Sequence, residues 1–139
     1  MAAAGIKTAV GRLLYVVDDE KLIAEVLQQI LESAGYEVKV FSDPVSALNS
    51  FSEAPRKPDM VLTDYVMKPM NGMELLQKCR MLHPALLTIL FSGNVTDKIT
   101  DLYAQKPSAF VAKPFQPAAL VGLVRQLLPN SDEQRAERP

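Results

Sequence analysis

Along this chain, short apolar runs rich in Val, Ile, Leu and Phe alternate with longer stretches whose apolar residues recur at helical spacing. A run of about four to eight such residues suits a strand buried on both faces, and the helix that follows supplies the crossover between parallel strands. The alternation therefore predicts an α/β fold, a parallel sheet with helices on both faces. Leu13 to Val17 is the first strand and ends at Asp18-Asp19-Glu20. Ile23, Val26, Leu27, Ile30, Leu31 and Ala34 then share one helical face, with Gly35 as C-cap. Tyr36 to Phe41 alternates, as a partly covered edge strand does. Asp43-Pro44 opens a second helix, since Asp accepts from the free amides of a first turn and Pro tolerates its first position. Pro55 and Pro58 end that segment. Met60 to Thr63 is a third strand ending at Asp64, and a loop over Pro69 to Gly72 leads to a helix over Met73 to Leu82. On that helix Leu75, Leu76, Cys79 and Leu82 share a face. Leu86 to Phe91 is a fourth strand ending at Ser92-Gly93, with a polar helix over Val95 to Gln105. Ala109 to Ala112 is a fifth, ending at Lys113-Pro114, and the last helix, Pro117 to Leu128, buries Leu120, Val121, Val124 and Leu127 or Leu128.

These five β/α units make one domain over residues 12–129, after an N-terminal arm (1–11) and before a charged tail (130–139) whose composition predicts disorder. A chain of 139 residues can bury a sizeable core without staples. The single Cys79 excludes a disulfide scaffold and fits a reducing, cytoplasmic setting. With 15 basic and 16 acidic side chains the formal charge is −1, so nothing in the charge favours nucleic-acid binding. Every apolar run falls short of the roughly 18 residues a spanning helix needs, and Lys7 and Arg12 interrupt what could pass for a signal peptide.

Ligands of an open parallel sheet bind outside the carboxyl ends of its strands. Those ends carry Asp18 and Asp19, Asp64, Ser92 and Lys113. Three carboxylates in one pocket repel, and oxygen-only ligands suit Mg²⁺ better than zinc. Such a site points to phosphoryl chemistry, with Asp64 as nucleophile, Lys113 offsetting charge and the Ser92 hydroxyl bonding a phosphoryl oxygen. Each residue also has a plainer reading: helix caps for the acidic cluster, turn residues for Asp64 and Ser92-Gly93, a solvated charge for Lys113. Their joint placement favours the site. His83 reads as a helix-terminal cation, Cys79 as an inert core residue, and Met67 and Met70 as packing.

Together these residues resemble the receiver domain of two-component response regulators, over about Arg12 to Pro129. The resemblance implies a five-stranded doubly wound, flavodoxin-like (β/α)5 fold of strand order 2-1-3-4-5. By the same resemblance Asp64 is the phosphoacceptor, Asp18 and Asp19 are the Mg²⁺-binding pair, and the Val66 backbone carbonyl is a further ligand. Ser92 and Phe110 match the switch pair, Lys113 the invariant cation, and the Lys113–Pro114 bond is expected cis. The implied function is a signalling switch that takes a phosphoryl group from a histidine kinase or phosphotransfer protein. It would then remodel the face of the fourth helix, fifth strand and last helix for a downstream protein, and homodimers formed on phosphorylation stay open. Turnover catalysis beyond its own phosphorylation and slow dephosphorylation is not implied.

The chain departs from the family pattern in four places. Lys68 stands where Pro is usual, with Pro69 one residue later, and Lys106-Pro107 replaces Gly-Ala before the fifth strand, where the fourth helix region looks one residue short. Phe110 replaces the commoner Tyr. Val66 stands where an amide or acid could hold the attacking water, which predicts slow loss of phosphate. Alternatives are a receiver fragment of a larger hybrid kinase or multidomain regulator, an unphosphorylated scaffold, and an Asp-nucleophile Mg²⁺ phosphatase. The last would need a second Asp at position 66 and a cap domain. A nucleotide or flavin binder lacks any Gly-rich phosphate loop among the six glycines.

Overall fold

A computed structural model describes residues 11–93, 101–103 and 105–129. In chain order the elements are β1 (Leu13–Val17), α1 (Lys21–Ser33), β2 (Glu37–Phe41), α2 (Pro44–Glu53), β3 (Met60–Asp64), α3 (Gly72–Leu82), β4 (Leu87–Ser92), β5 (Ala109–Ala112) and α4 (Pro117–Leu127). The five strands are parallel and lie in the order β2-β1-β3-β4-β5. The arm and the tail expected from composition lie outside the described residues, as does most of the polar helix expected over Val95 to Gln105.

Successive side chains of a strand point to opposite faces, and β1 shows the consequence. Leu14 and Val16 join a core with Leu27 and Leu31 of α1 and Leu120 and Val124 of α4. Leu13, Tyr15 and Val17 join a second core with Phe51 of α2 and Leu75, Leu76 and Cys79 of α3. All five residues of β1 and of β3 are buried, as the apolar run of β1 requires, and in β3 the polar Thr63 and Asp64 are buried with the apolar Met60, Val61 and Leu62. The edges differ: β2 exposes Glu37 and Lys39, and β5 is only four residues long, between Pro107 and Pro114.

Local chemistry sets the helix ends. Asp43 Oδ1 accepts from Ser46 N at 2.7 Å with Pro44 at the first helical position. After α1, Ala34 is the C-cap, and Gly35 follows with φ 100°, where glycine avoids a side-chain clash. Gly35 N donates to Glu32 O and Tyr36 N to Leu31 O, a Schellman closure, so the glycine expected as the cap stands one position beyond it.

The helix faces need two corrections. Val26 is 48% exposed and Leu82 50% exposed, although both fit the apolar spacing. On α1 the stripe is centred on Ala24, Leu27 and Leu31, and Ala24 was not in the expected face. Leu82 is the last residue of α3, about one turn past Cys79, the last buried residue of that helix. Strand and helix bounds shift by one residue at β2, β3, β4, α3 and α4 relative to the sequence pattern.

At the end of α4 the Tyr36 hydroxyl donates to Leu128 O at 2.7 Å in a buried setting. Removing that donor strands a buried carbonyl. Tyr36→Phe is expected to cost about 1 to 3 kcal/mol, read as a lower urea midpoint at unchanged m-value.

Candidate functional site

The parallel sheet brings the strand ends together. Asp18, Asp19 and Asp64 each offer a carboxylate oxygen, and these lie within 4.8 Å of one another. Asp18 and Asp64 are buried and Asp19 is exposed. Lys113 Nζ stands 3.2 Å from Asp18 Oδ2 and 3.2 Å from Asp64 Oδ1. Its peptide bond to Pro114 is cis, as expected. Its own N–H donates to Ser92 O at 3.0 Å, which fixes the start of the chain beyond β5 against the end of β4.

The acidic cluster is not simply a helix cap. The N-cap of α1 is Glu20, with no side-chain cap bond, and Asp18 Oδ1 instead accepts from Glu20 N at 2.9 Å. That bond turns the chain away from the sheet and leaves Asp18 Oδ2 to Lys113.

The electrostatics follow from three carboxylates facing one ammonium. Burial pushes the Asp64 carboxyl above its ordinary range; Lys113 opposes that, and Asp18 adds to it. Burial by itself would lower the Lys113 ammonium, but Asp18 and Asp64 together hold it above its ordinary value. The cluster keeps an excess of negative charge around hard oxygen donors, a set that fits a divalent cation of the Mg²⁺ kind.

Ser92 ends β4 half-buried beside Ala112 in register, and Phe110 pairs with Leu90 with its residue 42% exposed. Val66 lies in the loop after β3 and is 70% exposed. Met67 is buried and Met70 partly so, both packed on the core under that loop. The Lys68–Pro69 bond is also cis, at the place where the chain departs from the family pattern. Cys79 is buried and free, and burial pushes its thiol up to about 12, in keeping with an inert core residue. His83 is the C-cap of α3, its N–H donating to Cys79 O.

Five neighbours of the site were not singled out from sequence. A Cβ on Gly72 would stand 2.2 Å from Asp64 O and 2.8 Å from Leu90 Cδ1, so only glycine lets α3 start this close to β3. Gly72 N also donates to Tyr65 O at 2.8 Å. Asn71 and Glu74 form a reciprocal capping box, and the pattern Asn71-x-x-Glu74 was a legible signal for it. Asn71 Nδ2 donates to the Tyr103 hydroxyl at 3.0 Å. Burial, and then the neighbouring Tyr103, push the Tyr65 phenol above its ordinary value. Nothing in the sequence pattern marks the approach of Tyr103 to this loop.

A family model described as the response regulator receiver domain matches residues 14–125. The DNA-binding response regulator MtrA of Mycobacterium tuberculosis H37Rv is 32% identical over 127 residues, covering 89% of this chain and 54% of its own length. The DNA-binding transcriptional regulator NtrC of Escherichia coli K12 is 30% identical, covering 91% of this chain and 27% of its own length. The chain thus spans about half the length of MtrA, and less of NtrC. Among solved structures, a CheY-like receiver domain protein of Methanospirillum hungatei JF-1 superposes with a TM-score of 0.76 at 29% identity, covering 91% of this chain and 98% of that one. The chemotaxis response regulator CheY4 of Vibrio cholerae gives a TM-score of 0.76 at 25% identity, covering 84% of this chain and 98% of its own.

The raised Asp64 carboxyl has a consequence for stability. The fold favours the protonated form, so stability is fully present below the ordinary value of 3.8 and is lost as pH rises through the raised one. At pH 7 without divalent cations, Asp64→Asn is therefore expected to melt higher than the natural chain, by about 4 °C per kcal/mol of relieved burial cost. Thermal melts at descending pH should show the gap closing as Asp64 takes up its proton. A lower melting temperature for the variant at pH 7 would mean that attraction to Lys113 prevails instead.

Proposed function

This chain belongs to the response regulator receiver domain family, and from that membership we propose that Asp64 accepts a phosphoryl group from a histidine kinase or phosphotransfer protein in a Mg²⁺-dependent reaction. As a receiver it is a phosphorylation-activated signalling switch. The observation that carries the reading is the Lys113 ammonium at 3.2 Å from both Asp18 and Asp64, beside the third carboxylate. We assign residues 12–129 to the working unit and place it in the cytoplasm. DNA binding belongs to the names of the longer relatives and is not carried over.

Asp18, Asp19 and Asp64, with the Val66 carbonyl, would hold the cation. Mg²⁺ bound there supplies positive charge that offsets the charge of the phosphoryl oxygens. In the transfer, an Asp64 carboxylate oxygen bonds to phosphorus as the donor's P–N bond breaks, and the electron pair leaves with the imidazole nitrogen. Lys113 exchanges a carboxylate partner for a phosphoryl oxygen, and the Ser92 hydroxyl donates to another. Phe110, half in solvent before this step, turns inward behind Ser92. That remodels the surface of the segment after β4, with β5 and α4, for a downstream protein or a second copy of the chain.

Intact-protein mass spectrometry tests this. Acetyl phosphate is expected to add one phosphoryl group to the natural chain with Mg²⁺ and none to Asp64→Asn or without Mg²⁺. Absence of the adduct at short and long times would overturn the assignment of Asp64.

The exposed Val66 presents no side-chain hydrogen bond to an attacking water. Val66→Asn is expected to shorten the lifetime of the phosphorylated form by about tenfold, the scale of one oriented hydrogen bond. An unchanged decay rate would remove that role from position 66.

A further inference from the structure

We propose that Tyr103 is a positioning residue of the phosphoacceptor loop, holding it through a hydrogen bond from Asn71; the consequence for phosphorylation rests on the function proposed above.

The loop that leaves Asp64 is closed at its base. Tyr65 N donates to Phe91 O at 2.9 Å, and Gly72 N donates back to Tyr65 O at 2.8 Å. Residues 66–71 therefore span from one fixed point to another. Asn71 ends the span, and both ends of its side-chain amide are in use. Its Oδ1 accepts from Glu74 N at 2.9 Å, and its Nδ2 donates to the Tyr103 hydroxyl at 3.0 Å. An amide committed at both ends has one orientation, so the start of α3 is fixed by α3 on one side and by Tyr103 on the other. Tyr103 is itself seated. Its ring packs on the same core as Tyr65 and Met70, and Asp101 and Lys106 pair at 3.5 Å on either side of it in sequence.

The tether joins residues 32 positions apart, and it ties the segment between β4 and β5 to the loop carrying Asp64 and Val66. Phe110, at the switch position, has no hydroxyl with which to make such a bond. Tyr103 is thus an aromatic hydroxyl that links the two segments without passing through Ser92 or Phe110. Loosening it leaves the ring packing and the carboxylates in place but frees the Asn71–Gly72 corner against which Asp64 O is packed.

Two variants separate the tether from the fold. Tyr103→Phe keeps the ring and removes the acceptor, whereas Asn71→Ser keeps a capping oxygen and removes the amide donor. Each is expected to speed hydrogen exchange of the Gly72 amide about three- to tenfold, the scale of one hydrogen bond. Each is expected to slow modification of Asp64 by acetyl phosphate several-fold, with the melting transition of Tyr103→Phe nearly unchanged. The double variant should be no worse than the poorer single one, because both remove the same bond. Unchanged Gly72 exchange in Tyr103→Phe, additive effects in the double variant, or faster exchange with normal phosphorylation would each overturn the proposal. If the natural chain itself takes no phosphoryl group while Gly72 exchange responds, the tether stands and the reading of Asp64 falls.

Discussion

Everything at the carboxyl edge of this sheet answers to one electrostatic constraint: two buried carboxylates and a third beside them face a single ammonium. The parallel topology imposes the crowding, since β1 and β3 are neighbours, with Asp18 directly after β1 and Asp64 the last residue of β3. Lys113 must reach across from β5 to satisfy both, and the Ser92 carbonyl anchors its backbone for that reach. The balance is incomplete, and the crowded oxygens are of the kind that fits a divalent cation.

The opposite edge is arranged for permanence. Arg80 donates to Lys106 O, Thr88 Oγ1 and Ser108 Oγ, while Thr88 and Ser108 exchange backbone-to-hydroxyl bonds. Leu13 N and Asp59 Oδ2 join β1 to the start of β3 at 2.8 Å. Side chains thus finish the ladders where the strands begin, whereas carboxylates crowd together where they end.

How far the sequence disclosed this depends on the range of the interaction. The strands were legible because β1 and β3 are buried on both faces and carry apolar runs, Leu13–Val17 and Met60 to Leu62, that lead into acidic residues. Asp18, Asp64 and Lys113 were legible as strand-end residues, since topology alone gathers such ends. The strand order was not in the periodicity and came from the family resemblance. Val26 and Leu82 were misplaced because spacing marks a helix face but not how far that face extends over the sheet. Gly72 escaped notice because its role is the absence of a Cβ beside Asp64 O, and Tyr103 because a hydroxyl 32 positions from Asn71 leaves no local pattern.

The two margins of the sheet carry a last consequence. An open sheet can lengthen by taking up another strand, from its own kind or from a partner, wherever a margin offers a free row of amides and carbonyls. Here one margin is guarded by the outward charges of Glu37 and Lys39, and the other is a strand of four residues closed by Pro107 and Pro114. Proline cannot extend a ladder, and charged side chains on an edge strand disfavour its pairing with another strand. Strand addition is thereby discouraged at both sides, which leaves side-chain surfaces, rather than a shared ladder of backbone bonds, as the ground on which this sheet meets another molecule.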